Sequence, residues 1–143
     1  MNLRFAFAVN NDNQFEKKHF GDADKFMIYK QENDKIVFLS EETNHFKLMD
    51  EEAEHGSKQK GMAIIKFLKG RGANVLISKQ FGKNIKLINE HFIPVINYLE
   101  HPDEVLQILS RHLHWFDEEY EKNTSNFKLF TIKSGILKSA IKK

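Results

Sequence analysis

Apolar residues run unbroken from Phe5 through Val9, as Phe-Ala-Phe-Ala-Val, and the run stops at Asn10-Asn-Asp-Asn13. A strand buried on both faces needs that pattern, because neither side of its pleat meets water. The pattern predicts a central strand over residues 3–9. The polar stretch that follows leads to His19-Phe20-Gly21, in a loop at the sheet's end, where α/β domains keep their ligand sites. Lys25-Phe-Met-Ile-Tyr-Lys30 and Lys35-Ile-Val-Phe-Leu39 flank the polar Gln31-Glu-Asn-Asp34, which predicts a hairpin with the first strand beside it as a meander. Residues 40–60 hold few apolar positions and read as a long mobile loop.

Met62, Ile64, Ile65 and Leu68 recur at helical spacing, Phe67 widens the stripe, and Gly70 with Gly72 supplies a helix stop. A short buried strand over residues 74–78, a helix over 84–90 and a strand over 92–96 then predict parallel βαβ units. Pro94 has no N–H for a ladder, so its strand is expected at the sheet edge. His101-Pro102-Asp103-Glu104 opens a helix, with proline at its first position and two acids at the positive end of its dipole. Val105, Leu109, His112 or Leu113, Phe116 and Tyr120 continue one core face of that helix. Residues 127–132 suit an extra strand, and Ile136, Leu137, Ala140 and Ile141 form a stripe between lysines that suits a short amphipathic helix.

The 143 residues, 13 of them phenylalanine, suffice for one domain with a substantial core and not for two ordinary ones. The expected division is an α/β domain over residues 1–121 and a basic C-terminal extension over 122–143. A formal charge of +2 is too small to argue for nucleic acid or membrane as partner. The chain has no cysteine, so neither disulfides nor thiolate ligation of a cluster is available to it. No apolar run approaches the length that spans a bilayer, and the expectation is a soluble cytoplasmic protein. Carboxylates are missing from residues 5–9 and from Ile77-Ser-Lys-Gln80, which argues against a metal-dependent nuclease. The sequence also lacks a phosphate-binding glycine loop ending in Lys-Ser or Lys-Thr, and a Ser or Cys nucleophile elbow.

Five segments together carry a family resemblance: the opening strand, His19-Phe-Gly21 before a strand with Phe26 and Ile28, Gly61-Met-Ala63, Gly72-Ala-Asn-Val-Leu-Ile77 and Phe81-Gly-Lys-Asn84. Over roughly residues 1–109 the chain resembles the nitrogenase iron-molybdenum cofactor biosynthesis family and its NifX-like accessory domains. The resemblance implies a ribonuclease-H-like α/β fold, with a mixed five-stranded sheet in the order 3-2-1-4-5 and helices on both faces. It also implies a non-enzymatic carrier of the iron-molybdenum cofactor, a precursor or another iron-containing cluster, with metallocluster donor or acceptor proteins as partners. The chain departs from the family pattern in having His55-Gly-Ser-Lys-Gln-Lys-Gly61 before the first helix and Gly82-Lys-Asn84 after the fourth strand.

In that topology the loops after strands one, three, four and five share one end of the sheet, and His19, His45, His55 and His101 gather there. Neutral imidazole ligates borderline transition metals without help from thiolates. His19 and His55 are the candidate metal ligands, and Gly21, Gly82, Lys83 and Asn84 complete the candidate cofactor-binding set. Lys58, Lys60, Lys79 and Lys83 offer charge to an anionic cofactor. The competing reading is of solvated loop histidines and a solvated lysine rim on a protein-interaction or regulatory module without a cofactor. A monomer or weak homo-oligomer is expected.

Overall fold

The computed structural model describes residues 2–49 and 56–139, with the side chains of Gly56 and Ser57 left undescribed. Among these, the order of elements is β1 (Arg4–Val9), β2 (Lys25–Glu32), β3 (Lys35–Thr43), α1 (Gly56–Gly70), β4 (Val75–Ser78), α2 (Ile85–Asn89), β5 (Ile93–Asn97), α3 (Pro102–Arg111), α4 (Leu113–Lys122), β6 (Phe130–Lys133) and β7 (Ile136–Ser139). One mixed sheet holds all the strands in the order β3-β2-β1-β4-β5-β6-β7. It contains the expected 3-2-1-4-5 core. β1 pairs antiparallel with β2 and parallel with β4, so it is the central strand that its apolar run predicted.

Alternation along β1 divides the core in two. Phe5, Phe7 and Val9 face a cluster built with Val105, Ile108 and Leu109 of α3 and with Leu113 and Phe116 of α4. Ala6 and Ala8 face the other side, with Ile64, Ile65 and Leu68 of α1, Ile88 of α2 and Phe92. Helices therefore cover both faces. Bulk on the α3/α4 side is matched by aromatic contacts, with Phe5 edge-on to Phe116 at 6.0 Å and Phe7 stacked on Phe15 at 5.3 Å. The alanines on the other side let α1 approach the sheet closely. Gly72, at φ +78°, closes α1 as its stop signal predicted, with its N–H donating to the Lys69 carbonyl at 2.9 Å and the Ala73 N–H to that of Leu68 at 3.1 Å.

Four expectations are corrected. β5 is not an edge, because β6 pairs parallel beside it. The Ile93 N–H reaches the Asn74 carbonyl on the β4 side, so Pro94 turns its nitrogen the other way, and the β6 ladder begins one residue later at Val95. The helix expected over residues 101–120 is two helices, broken at His112 (φ −127°, ψ 25°), whose Nδ1 lies 2.8 Å from the Ile108 carbonyl oxygen. The amphipathic helix expected from Ile136 onward is strand β7 over Ile136–Ser139, and Ala140 and Ile141 lie outside the described residues. The long loop is also shorter than expected, since β3 runs on to Thr43 and α1 begins at Gly56.

Candidate functional site

β1 and β4 lie side by side and parallel, but the chain leaves β1 toward β2 and leaves β4 toward β5 on the opposite side. Departing loops leave a crevice at such a reversal, and open α/β sheets place their ligands there. Residues 10–19 fill the β1 side. The Asn10 carboxamide oxygen accepts the N–H groups of Asp12 (2.9 Å) and Gln14 (3.1 Å), and Asn13 takes up φ 61°. His101, at the end of the loop after β5, meets the same segment through Nδ1 at 2.8 Å from Gln14 Oε1.

His19 precedes a single 3₁₀ turn, Phe20–Asp22. Phe20 and Phe26 are buried and anchor the segment from below. Above β4, Gln80 clasps it. His19 bridges to Gln80, the Phe20 N–H donates to the Gln80 carbonyl (3.0 Å), and the Gln80 side chain donates to the Lys17 carbonyl (3.2 Å). Ser78, fully buried, holds Gln80 in turn by donating to its carbonyl at 2.9 Å. Gly82 (φ +62°) sits against the imidazole, for a Cβ placed there would lie 3.7 Å from His19 Cγ and Cδ2.

Three further residues converge behind the ring. Asp22 Oδ2 is 3.3 Å from His19 Nε2, and Asp22 Oδ1 is 3.2 Å from Lys60 Nζ. Lys60 reaches in from α1, is 2% exposed, and also donates to the Lys47 carbonyl at 2.9 Å. Gly21 makes that meeting possible, since a Cβ on it would come within 3.1 Å of Lys60 Cε and 3.3 Å of His19 Nδ1. Gly61 does the same for Asn84, whose amide nitrogen would be 2.8 Å from a Cβ at Gly61. Asn44, also buried, donates to the carbonyls of Gly21 (3.1 Å) and Ala23 (2.8 Å). Lys47 pairs with Asp24 and holds its carboxyl below the ordinary range; partial burial opposes this, and the Asn11 N–H, 2.9 Å away, adds to it.

His19, Gly21 and Gly82 are thus brought together, and Asn84 stands two residues after Gly82, beside Gly61 of α1. Lys83 is exposed on the 3₁₀ turn Gly82–Asn84, and His55 lies outside the described residues. His45 is exposed and turns its ring edge to Phe67 at 6.5 Å. Of the expected lysine rim, Lys58 and Lys83 are exposed, whereas Lys60 is committed to Asp22. Sequence reasoning did not find Asp22, Asn44 or Gln80. Two signals were present, because Asp22 follows His19 by three residues and Lys60 precedes Ile64 and Leu68 by four and eight, on the buried stripe of α1.

Among the described residues no group of three or more His, Asp or Glu can hold a metal ion. Among the described residues a cleft of about 240 Å³ opens between α4 and β6, lined by Trp115, Glu119 and Lys128. Among the described residues no helix is long and apolar enough to cross a membrane. Comparison with curated proteins found no match. The family model described as dinitrogenase iron-molybdenum cofactor matches residues 1–111, a span that takes in β1 to β5, the segments bearing His19 and Gly82, and α3, and the chain belongs to that family.

Proposed function

We propose that the protein is a non-enzymatic carrier that holds a metal-containing or anionic cargo at the rim formed by His19, Gly21, Gly82, Lys83 and Asn84, with His55 as a second ligand. The observation that carries this reading is the nearness of Gly82 to the His19 ring, 3.7 Å from the ring to where a Gly82 Cβ would be, at the reversal of chain direction between β1 and β4. Imidazole ligands with no thiolate suit a cluster that arrives with its own inorganic ligands better than a bare ion, which needs several protein donors. The cargo in this reading is the iron-molybdenum cofactor, a precursor or another iron-containing cluster. The partners are cluster-donating and cluster-accepting proteins, the accessory role is NifX-like, the compartment is the cytoplasm, and the fold is ribonuclease-H-like. A second reading, an interaction module without cargo, draws on the exposure of Tyr98, Leu99 and Ile136, which give up 45%, 71% and 55% of their surface to solvent.

The experiment is anaerobic incubation with an iron-molybdenum cofactor donor, followed by iron and molybdenum analysis of the re-isolated wild type, His19→Ala and His55→Ala. The carrier reading expects bound metal on wild type and a loss on both variants. No metal on wild type, or equal metal on all three proteins, would leave the interaction module in its place.

A further inference from the structure

We propose that Lys60 is a positioning residue that acts through Asp22 to hold the His19 imidazole in one orientation; the inference rests on His19 being the cargo ligand. An ammonium buried to 2% exposure is expensive to keep, and an apolar side chain of similar length in its place would satisfy the α1 core at no such penalty. The charge is nevertheless placed with care. Nζ has the Lys47 carbonyl at 2.9 Å and one oxygen of Asp22 at 3.2 Å, while the other oxygen of Asp22 lies 3.3 Å from His19 Nε2. One carboxylate thus spans a helix-borne cation and the imidazole. The missing Cβ of Gly21 is a second, independent feature of the arrangement. Any side chain there would press on both Lys60 Cε and His19 Nδ1, so the backbone itself makes room for the two groups to close on Asp22.

The arrangement follows the logic by which a ligating histidine is steered by an outer carboxylate at its other nitrogen. With the carboxylate beside Nε2, the neutral ring keeps its proton there and leaves its lone pair on Nδ1. Without Lys60, the Asp22 carboxylate, 24% exposed, is drawn toward water and the ring loses its stop. Asp22 is the contact, and Lys60 the fixed point behind it.

The test measures the His19 side-chain rotamer by three-bond couplings to its Cβ protons, in wild type, Lys60→Met, Lys60→Arg and the double variant Asp22→Ala/Lys60→Met. The double variant removes both members of the Asp22–Lys60 pair and serves where Lys60→Met does not fold. The expected result is a single rotamer in wild type, averaging in the methionine-bearing variants, and recovery in Lys60→Arg. Averaging in folded wild type, or an unchanged single rotamer in a folded variant without Lys60, overturns the proposal. Metal retained from the iron-molybdenum cofactor donor by the same proteins is the second readout, and the steering role expects affinity to fall roughly 10- to 100-fold when it is lost. If the rotamer behaves as expected while the cofactor donor leaves no metal on wild type, positioning stands and the carrier reading falls.

Discussion

Phe130 lies beyond the family match, yet its ring sits in the core, and replacing it measures how far the last hairpin belongs to the domain. It is 3% exposed, pairs in register with Val95 and packs on the Phe116 ring at 4.8 Å. Deleting a buried phenylalanine side chain removes its transfer free energy and leaves a cavity, together about 3–5 kcal/mol. β6 is one strand in from the sheet edge, where β7 can settle inward, so Phe130→Ala is expected to destabilise by about 3 kcal/mol, toward the lower end of that range. Against a total stability of roughly 5–15 kcal/mol, such a loss moves the denaturation midpoint far. Phe38→Ala, on a ring 55% exposed in β3, is the control and should change stability by less than about 1 kcal/mol. The assay is urea unfolding followed by far-ultraviolet circular dichroism and by fluorescence of Trp115, the chain's one tryptophan, which stands beside Phe130 in the same cleft. Coincident transitions with an unchanged slope and a lowered midpoint are expected. A separate early transition reported by Trp115 alone, or a loss below about 1 kcal/mol, would mean that the hairpin is an appendage and the reasoning fails.

Two further outcomes follow from the site. Lys47 holds the Asp24 carboxyl below its ordinary value of 3.8, so the stabilisation from this pair is complete above that value and is lost as pH falls through the lower folded-state value; the stability gap between wild type and Lys47→Met should therefore close in acid, and a gap that stays constant from about pH 6 to about pH 2 would refute the assignment. At Gly61 a methyl group meets Asn84 at 2.8 Å, whereas at Gly70 it meets nothing within 4 Å. Gly61→Ala should thus forfeit the helix-propensity gain of about 1 kcal/mol and move the Asn84 side-chain amide resonances, and unmoved resonances would show that the cradle has slack.

Much of the fold was legible because its signals are periodic. The unbroken run at Phe5–Val9 reads as a strand with no wet face, the two apolar runs around residues 31–34 as a hairpin, and Gly72 as a helix stop. The misreadings came where short patterns serve two structures. Ile136, Leu137, Ala140 and Ile141 fit a helical stripe, but over the four described residues a strand needs only Leu137 inward, and Leu137 is the one that is buried. The better signal was Ser134-Gly135, which adopts φ 52° and 76°, the double positive turn that joins β6 to β7. Within the site, His19 and Gly82 were legible as polar and flexible residues in loops whose positions the topology brings together. Lys60 was legible only as a rim lysine for an anionic cofactor, because the carboxylate it meets arrives from another segment of the chain.

Pro94 has a reach beyond its own strand. Along the outward side of β5 the first donor after the proline belongs to Ile96, so a guest strand finds donors only along the half of β5 nearest the His19 rim. β6 is accordingly displaced toward that end, and the tight turn that follows it emerges level with the loop after β5, where the Gly135 N–H donates to Glu100 Oε1 at 2.7 Å. A single absent hydrogen at the far end of the sheet thereby decides where the appended hairpin surfaces. It brings Ile136 to the end of the sheet where Tyr98 and Leu99 already stand in the loop after β5, so three exposed apolar side chains share that end with the imidazole.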